Sequence, residues 1–386
     1  MSGDLNARKG IVLALIGTAR AVPGADLAAL DDADWAAIDA MAAQHRLQPW
    51  LHDRLRRAGA DWPVPGAIAA NWKNAYRAAA LTALTAQAAL IRLSAAFAEA
   101  EVPMVALKGA RLAFFAYSEA ALRPMRDVDL LVAPELLSAA LDAMAQAGCT
   151  IPADRDSAIA RALDGDKHLD PVALPACDRF VELHHRITEP GLPGLPTEAI
   201  LAEARADTLG GVQLHFPSAE HMLAHLVLHA VYNHRFDCGP VAIIDIAMLA
   251  RQERIDANRF AAMARVGGWL PGARLILALT ERHMGPTGLD IGQDAVPAAV
   301  LAECESLILQ DFDQRAQVKL ASEGARAGMA ATLLSRLRRG LARPSDEGRL
   351  RWLASRAART IRQGSDARAR SEAAAGAAMA RWLDGS

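Results

Sequence analysis

Three short strand-like segments interrupt a sequence that is otherwise patterned for helices. Residues 102–107 form a short apolar run, residues 127–132 a second such segment, and residues 180–187 alternate between polar and apolar side chains. A period of two is typical of a strand, whereas apolar residues recur with the helical period elsewhere. One helical segment, residues 138–148, ends at a glycine. Strands interspersed with helices predict an α/β or α+β core.

The rest of the chain is predicted to be mainly helical. Alanine, the best helix former, carries much of the apolar composition, and the longest predicted helix covers about residues 67–100. With 386 residues, of which 52% are hydrophobic and 22% charged, the chain has material for a large core and two or three domains. We divide it into a helical region (1–100), a strand-containing core (101–215), a second helical region (216–300) and an Arg/Ala-rich helical region (301–386).

The charge balance excludes a uniformly basic nucleic-acid-binding protein, because the net charge is −2. The C-terminal region is locally basic, with 15 Lys and Arg against 8 Asp and Glu in residues 311–386. This pattern is typical of a solvated helical face, and it leaves open a docking surface for an acidic partner. Nucleic acid is not favoured, since only Trp352 and Trp382 offer stacking surfaces there.

Neither the cysteines nor the N-terminus indicates an extracytoplasmic protein. The four cysteines are widely separated and form no CxxC pair, which argues against a disulfide framework and a thiolate zinc site. They are Cys149, Cys177, Cys238 and Cys304. The apolar run at residues 11–16 is too short to span a bilayer and lacks a clear cleavage site. We therefore expect a soluble cytoplasmic protein without a membrane partner.

The sharpest chemical feature is the pair Asp127 and Asp129 on the second strand segment. Residues two apart on a strand point to the same side of the sheet. Two carboxylates on one face repel each other unless a cation lies between them, and Mg²⁺ binds both carboxylate and phosphate oxygens. A D-x-D pair alone is also typical of a solvated acidic turn, so the pair needs support from its surroundings.

Other segments supply that support. On the third strand, Glu182 and His184 share a face, and if the strands are neighbours Glu182 approaches the aspartate pair. Three carboxylates form the kind of cradle that two-metal phosphoryl chemistry uses. After the first strand segment, Gly109 would let the backbone approach phosphate oxygens, and Lys108 would neutralise their charge.

In their order and spacing, these motifs resemble a known family. They are Leu107-Lys108-Gly109, Arg123-Pro-Met-Arg-Asp127-Val-Asp129-Leu-Leu-Val132 and Val181-Glu182-Leu-His184. The sequence resembles, over about residues 30–290, the uncharacterised nucleotidyltransferase family of bacterial genomes, within the superfamily that has a polymerase-β-like core. The resemblance implies an α+β fold, with a small mixed β-sheet embedded in a mostly helical protein.

The resemblance also implies an activity and a site. Asp127 and Asp129 would bind Mg²⁺, with Glu182 as the third catalytic and metal-binding carboxylate. We expect nucleotide contacts from Lys108, Gly109, Arg123 and His184. The implied reaction moves a nucleoside monophosphate from an NTP such as ATP to a hydroxyl acceptor, which is a small molecule, sugar, peptide or protein side chain.

One departure from the wider superfamily keeps two alternatives open. The usual Gly-Ser of the phosphate-binding turn is replaced by Lys108-Gly109-Ala110, which offers no serine hydroxyl. The chain would then be a member that binds a nucleotide without transferring it. The other alternative is an interaction protein that acts through its basic C-terminal region.

Several residues near these motifs have a structural interpretation beside the functional one. Arg123 either binds phosphate through its guanidinium or pairs with a nearby carboxylate, and His184 either assists proton transfer or is a structural histidine. Three further histidines lie four residues apart, at His221, His225 and His229. With His234 they invite a zinc hypothesis, although we favour structural roles. His229, His234 and Asp245 are alternatively expected to line the acceptor side of the cleft.

Overall fold

The structure is a computed structural model that describes residues 2–292, 295–310 and 377–384. The chain divides into two compact units, Met1–Val296 and Pro297–Ser386. Most of the basic C-terminal region lies outside the described residues, and the four-region division stays a prediction.

The N-terminal part of the first unit is helical, as its composition predicts. The helices are α1 (Ser2–Ile16), α2 (Gly24–Ala28), α3 (Asp32–Gln44), α4 (Gln48–Ala58) and α5 (Gly66–Glu99). Asp31 and Asp34 form a capping box at the start of α3, which satisfies backbone N–H groups at that end. Pro49 lies in the first turn of α4, where a missing N–H costs nothing.

Helix α5 is the long helix predicted from the sequence, and it forms one wall of the core. Within the described part of the chain, it is the one helix long and apolar enough to cross a membrane by length and composition. Of its most apolar 18-residue window, 44% is buried inside the protein. Its buried residues include Leu90, Leu93 and Phe97, which belong to the main core cluster, and the core helices of soluble proteins have this composition too.

A four-stranded mixed sheet lies at the centre of the first unit. Its strands are β1 (Val105–Ala106), β2 (Asp127–Leu131), β3 (Val172–Leu174) and β4 (Arg179–His184), in the order β1-β2-β4-β3. Strands β2 and β4 are parallel, and the two outer pairings are antiparallel. The predicted α+β fold with a small mixed sheet in a mostly helical protein is confirmed.

The sheet differs from the sequence-based expectation at two places. Residues 163–175 are polar and contain prolines, a composition that predicts a loop. They nevertheless contain β3, whose three residues between two prolines are too few to show a period. The third predicted strand ends at His184 rather than at residue 187. The N–H groups of His185 and Arg186 instead donate to the carbonyl of Lys167, which draws the chain away from the sheet.

A β-hairpin and further helices complete the described structure. The hairpin joins β5 (Arg205–Leu209) and β6 (Val212–Phe216) through Gly210 and Gly211, which both have positive φ. The remaining helices are α6 (Gly109–Arg111), α7 (Leu137–Gln146), α8 (Arg155–Gly165), α9 (Thr197–Ala202), α10 (Ala219–Val227), α11 (Val241–Gln252), α12 (Ala257–Val266) and α13 (Leu270–Met284). Two π-helical segments, Leu112–Ala116 and Leu228–Asn233, continue α6 and α10. The second unit contains α14 (Ala298–Ile308) and the helix Ala377–Asp384.

Alternation along the two central strands separates an apolar face from a polar face. Val128 and Leu130 of β2 and Val181 and Leu183 of β4 belong to the main core cluster, which also contains residues of α5 and α7. The residues between them therefore point to the opposite face. That face carries the carboxylates singled out in the sequence.

Candidate active site

Three functional side chains come together because β2 and β4 are parallel and in register. Asp129 is paired with Glu182, and Leu131 is paired with His184. Paired residues on adjacent strands point to the same face. Asp129, Glu182 and His184 each present a ligand atom within 4.8 Å of the others, and among the described residues this is the one group with metal-ligand spacing.

Asp129 is the most enclosed carboxylate of this group. It is 6% exposed, and its Oδ1 lies 3.0 Å from His184 Nε2 while its Oδ2 lies 3.4 Å from Lys108 Nζ. Burial alone would raise the pKa of Asp129, but the charge of Lys108 and the hydrogen bond from His184 hold it well below its usual range. Asp129 is therefore ionised at neutral pH.

Glu182 lies between two histidines. His184 Nε2 is 3.4 Å from Glu182 Oε2, and His168 Nε2 is 3.7 Å from the same oxygen. Burial raises the pKa of Glu182, and the hydrogen bond from His184 overcomes this, so the net shift is downward. Glu182 is therefore a second ionised carboxylate on this face.

His168 is a site residue that sequence reasoning missed. Its ring packs edge-on against His184 with centroids 4.8 Å apart, and its Nδ1 donates to the carbonyl of Leu169 at 2.7 Å. A carbonyl only accepts, so in the neutral ring Nε2 carries a lone pair that faces Glu182. Burial, followed by the charge of His184, lowers the pKa of His168. Its segment lacks a strand pattern, because only an isolated bridge to His184 brings it to the sheet.

Asp127 lies two residues before Asp129 on the same face of the sheet. Its charge environment differs from that of Asp129. It is half-buried and paired with Phe180, whose side chain is 57% exposed. Burial raises the pKa of Asp127, and the charges of Asp129 and Glu182 raise it further. Three carboxylates therefore repel one another on this face, and oxygen ligands of this kind fit a divalent cation such as Mg²⁺.

The turn after β1 brings Lys108 into the site. Lys108 has φ 34° and is 8% exposed, so it adopts a backbone conformation that is uncommon for a residue with a side chain. Strained positions of this kind cluster at functional sites. The turn places the lysine amino group against Asp129 rather than in solvent.

Gly109 has a packing requirement of its own. A Cβ atom at Gly109 would lie 2.6 Å from Arg123 Nη1 and 3.1 Å from Met125 Cγ. Glycine is therefore required at this position, because a side chain would overlap the Arg123 guanidinium. A role of Gly109 in approaching phosphate stays a prediction.

Arg123 already has a carboxylate partner in this structure. Its Nη2 lies 2.9 Å from Asp245 Oδ2 and its Nε lies 3.1 Å from Asp245 Oδ1. The Tyr117 hydroxyl donates to the same carboxylate at 2.7 Å. Asp245 is thus buried and fully engaged, which favours the structural interpretation of Arg123 and places Asp245 behind the site rather than on an open cleft wall.

A second arginine lies near Asp127, at a position to which the sequence assigned no role. Arg46 has φ 58° and lies in the turn between α3 and α4. Burial and the charges of Arg126 and Arg123 lower its pKa to about 10, against the opposing charge of Asp127. These arginines place positive charge beside the outermost carboxylate. Only the tertiary fold brings Arg46 close to the sheet.

The histidines on α10 and beyond do not assemble into a zinc site. His221 lies 3.1 Å from the Ser218 hydroxyl at the start of the helix, and His234 Nδ1 lies 2.7 Å from Asp237 Oδ1. The rings of His229 and His234 approach to 4.2 Å and those of His225 and His229 to 6.2 Å. No grouping with metal-ligand spacing includes them among the described residues.

This arrangement defines a class of protein. A small mixed sheet carries three carboxylates on its polar face beside a strand–turn–helix unit, which is the layout that the sequence resemblance implies. Residues 31–285, about two thirds of the chain, match the model of a family described as uncharacterised nucleotidyltransferase. The chain belongs to this family, and the resemblance inferred from the motifs is confirmed. A search of curated proteins and a search of solved structures each found no match.

Proposed function

We propose that the protein transfers a nucleoside monophosphate from an NTP to a hydroxyl group of an acceptor, with Mg²⁺ as cofactor. The observation that supports this most is the register of β2 and β4, which sets Asp129 beside Glu182 with Asp127 on the same face. Membership of a nucleotidyltransferase family supports the class of reaction.

The side chains divide the work of the reaction between them. Asp127, Asp129 and Glu182 would hold Mg²⁺, which when bound neutralises triphosphate charge and orients the phosphates. The acceptor hydroxyl loses its proton, for which Glu182 is the proposed base, and its oxygen forms a bond to the α-phosphorus. The bond from that phosphorus to the bridging oxygen breaks, and pyrophosphate leaves. Lys108 would balance negative charge on the phosphates.

A binding protein without transfer activity is the second candidate. Its support is the position of Lys108, whose amino group lies 3.4 Å from Asp129 Oδ2 and so occupies part of the space where a cation would approach. The missing hydroxyl at Ala110 points the same way. Nucleotide binding without release of pyrophosphate would favour this candidate.

The test is calorimetric titration of each NTP, with and without Mg²⁺, into wild type and the variant Asp127→Asn/Asp129→Asn. We expect Mg²⁺-dependent binding to wild type and at least tenfold weaker binding to the variant, because two of the three carboxylates lose their charge. Pyrophosphate release in an acceptor screen should disappear with it. Retained turnover in the variant would contradict the mechanism.

The chain offers a matched control in Asp154 and Asp156. These residues have the same D-x-D spacing, and both side chains are exposed. The variant Asp154→Asn/Asp156→Asn changes the net charge by the same amount, so it separates the local effect of the site from the global effect of charge. We expect it to bind Mg²⁺-NTP like wild type.

A further inference from the structure

Two histidines behind the carboxylates have ring nitrogens without partners. His225, in α10, is 1% exposed, and neither of its ring nitrogens has a hydrogen-bond partner among the described residues. His229 is half-buried, and its Nδ1 is fully enclosed and equally without a partner there. Buried polar groups in native proteins are nearly always paired. The two rings are neighbours, with centroids 6.2 Å apart, so a single ligand would supply partners to both.

The surrounding charges determine what kind of ligand fits. Burial, followed by the charge of Lys108, holds the pKa of both His225 and His229 well below the usual range. Lys167 acts on both rings in the same direction. Both rings are therefore neutral at pH 7, and each offers one N–H donor.

Two buried lysines disfavour a cation at this place. Lys108 is 8% exposed and Lys167 is 7% exposed, and each has one carboxylate neighbour, Asp129 at 3.4 Å and Glu189 at 3.5 Å. Because the charges of Lys108 and Lys167 both act on the two rings, a zinc ion bound by the histidines would be repelled and an oxyanion would be attracted. Neutral imidazole N–H groups next to ammonium groups are donors suited to phosphate oxygens.

The backbone around His229 is built to hold this arrangement. His229 lies in the π-helical segment Leu228–Asn233, and such segments occur frequently at functional sites. Asn233 fixes the end of the segment, since its amide donates to the carbonyl of Ile187 at 2.9 Å and its Oδ1 accepts from the N–H of Glu189 at 3.4 Å. The loop that carries Glu189, the partner of Lys167, is thus tied to the helix that carries the histidines.

We propose that His225 and His229, with Lys108 and Lys167, form a binding subsite for an oxyanion of the phosphate class. The subsite deepens the proposed nucleotidyl transfer and rests on it, since that reaction brings phosphate groups to Lys108. The oxyanion comes from one of two sources: the β- and γ-phosphates of the NTP, which leave as pyrophosphate, or an anionic group of the acceptor. His225 forms the closed end of the subsite and His229 its more open side.

The test is titration of inorganic pyrophosphate, without added metal, into wild type and the variants His225→Leu and His229→Leu. Each leucine has a volume close to that of histidine and removes both ring nitrogens. We expect each variant to bind pyrophosphate about tenfold more weakly or worse. The control is His215→Leu, an exposed histidine on β6, which should bind like wild type.

Thermal unfolding of the same variants distinguishes a ligand site from a structural histidine. An imidazole without partners contributes little to the fold, so His225→Leu should leave the melting temperature of the free protein unchanged or raise it. The rise in melting temperature on adding pyrophosphate should disappear. If His225→Leu fails to fold, the variant His229→Gln gives a second test, because His229 is only half-buried. Equal pyrophosphate binding in wild type and variants, or no binding to wild type, would overturn the proposal.

The variant Asp127→Asn/Asp129→Asn separates this proposal from the proposed function. It should keep metal-free pyrophosphate binding although it loses Mg²⁺-NTP, because the subsite uses other side chains. Competition then assigns the source. Displacement of pyrophosphate by a non-hydrolysable NTP would assign the subsite to the triphosphate, and simultaneous binding would assign it to the acceptor. Pyrophosphate binding without any nucleotidyl transfer would leave the subsite standing and contradict the proposed function.

Discussion

At the residue scale, two aspartates of one strand have opposite pKa shifts. Burial and its carboxylate neighbours raise the pKa of Asp127, whereas Lys108 and His184 overcome burial and lower that of Asp129. Carboxylates whose surroundings separate their pKa values commonly have different roles. Asp129 is held in place by protein groups, and Asp127 is the carboxylate whose charge is least compensated. We infer that a cation gains more from Asp127 than from any other single side chain here.

The Gly109→Ala substitution tests how tightly the turn is packed. The added Cβ would lie 2.6 Å from Arg123 Nη1, and the guanidinium is fixed by two hydrogen bonds to Asp245, so it is not free to move aside. We expect a loss of about 1–3 kcal/mol in unfolding free energy, the usual cost of overpacking a core. Chemical denaturation measures it, and NTP titration should show weaker binding.

The control is Gly165→Ala at the end of α8, where a Cβ would meet nothing within 4 Å. This substitution should be neutral or slightly stabilising, since alanine reduces the entropy of the unfolded chain. If Gly109→Ala is as stable as wild type, Arg123 moves aside without an energetic cost. That result would contradict the packing requirement at Gly109.

At the element scale, helix α11 supports the Lys108–Gly109 turn through a buried ion pair. Asp245 of α11 accepts hydrogen bonds from Arg123 and Tyr117, and Arg123 in turn lies against Gly109. The contacts run from Asp245 in α11 through Arg123 to the turn, and they involve none of the three carboxylates on the polar face of the sheet. It gives Arg123 a positioning role, which a substitution at the far end can test.

The Asp245→Leu substitution removes the carboxylate and leaves the Arg123 charge buried. We expect a loss of about 3–5 kcal/mol in unfolding free energy, because a buried charge without its partner is strongly destabilising. The double variant Arg123→Leu/Asp245→Leu should recover most of that stability, since it removes both charges. Denaturant unfolding of the two variants measures the difference.

Two further measurements show what the pair contributes. Tyr117→Phe removes a single hydrogen bond to Asp245 and should cost only about 0.5–1.5 kcal/mol. If Arg123 positions the turn, the stable double variant should still bind Mg²⁺-NTP more weakly than wild type. Unchanged NTP binding in the double variant would mean that the pair serves the fold alone.

The elements also show what a sequence can predict. Alternation along residues 127–132 and 180–187 is local, so it predicted that Asp127 and Asp129 share one face of their strand and that Glu182 and His184 share one face of theirs. It could not specify that β2 and β4 are parallel neighbours, which depends on how the chain crosses over between them. The family resemblance implied a small mixed sheet and Glu182 as the third carboxylate, but not the parallel pairing. The strand β3 was missed, because three residues are too few for a period to appear. The β5–β6 hairpin was missed although Gly210-Gly211 between two five-residue runs is a local hairpin signal.

Site residues supplied by distant segments were the least predictable. His168, Arg46 and the Asp245 partner of Arg123 reach the site through tertiary contacts, and Asp245 is 122 positions from Arg123. The sequence singled out Asp245 only as a residue of the acceptor side of the cleft, not as the partner of Arg123. The contacts of all three residues depend on the register of the sheet and the packing of helices around it.

At the scale of the whole molecule, the proposed active site belongs to one of the two compact units. Every residue assigned to the site or to the oxyanion subsite lies within Met1–Val296, and the family match ends at residue 285. The core cluster around the sheet is also formed by residues of this unit. The first unit therefore holds the complete set of groups that the proposed reaction uses.

Residues 1–296 expressed alone should therefore bind Mg²⁺-NTP within about twofold of the full chain, measured by calorimetry. The reason is that binding depends on the carboxylates, the Lys108 turn and the histidines, which this fragment contains. The basic region beyond residue 310 is tested with the same pair of proteins. If it binds nucleic acid, the full chain should show affinity for RNA or DNA that falls steeply with salt, and the fragment should lack it. A folded fragment that fails to bind any NTP would show that the second unit supplies part of the nucleotide site. It would then contradict the assignment of the active site to the sheet and its neighbouring helices alone.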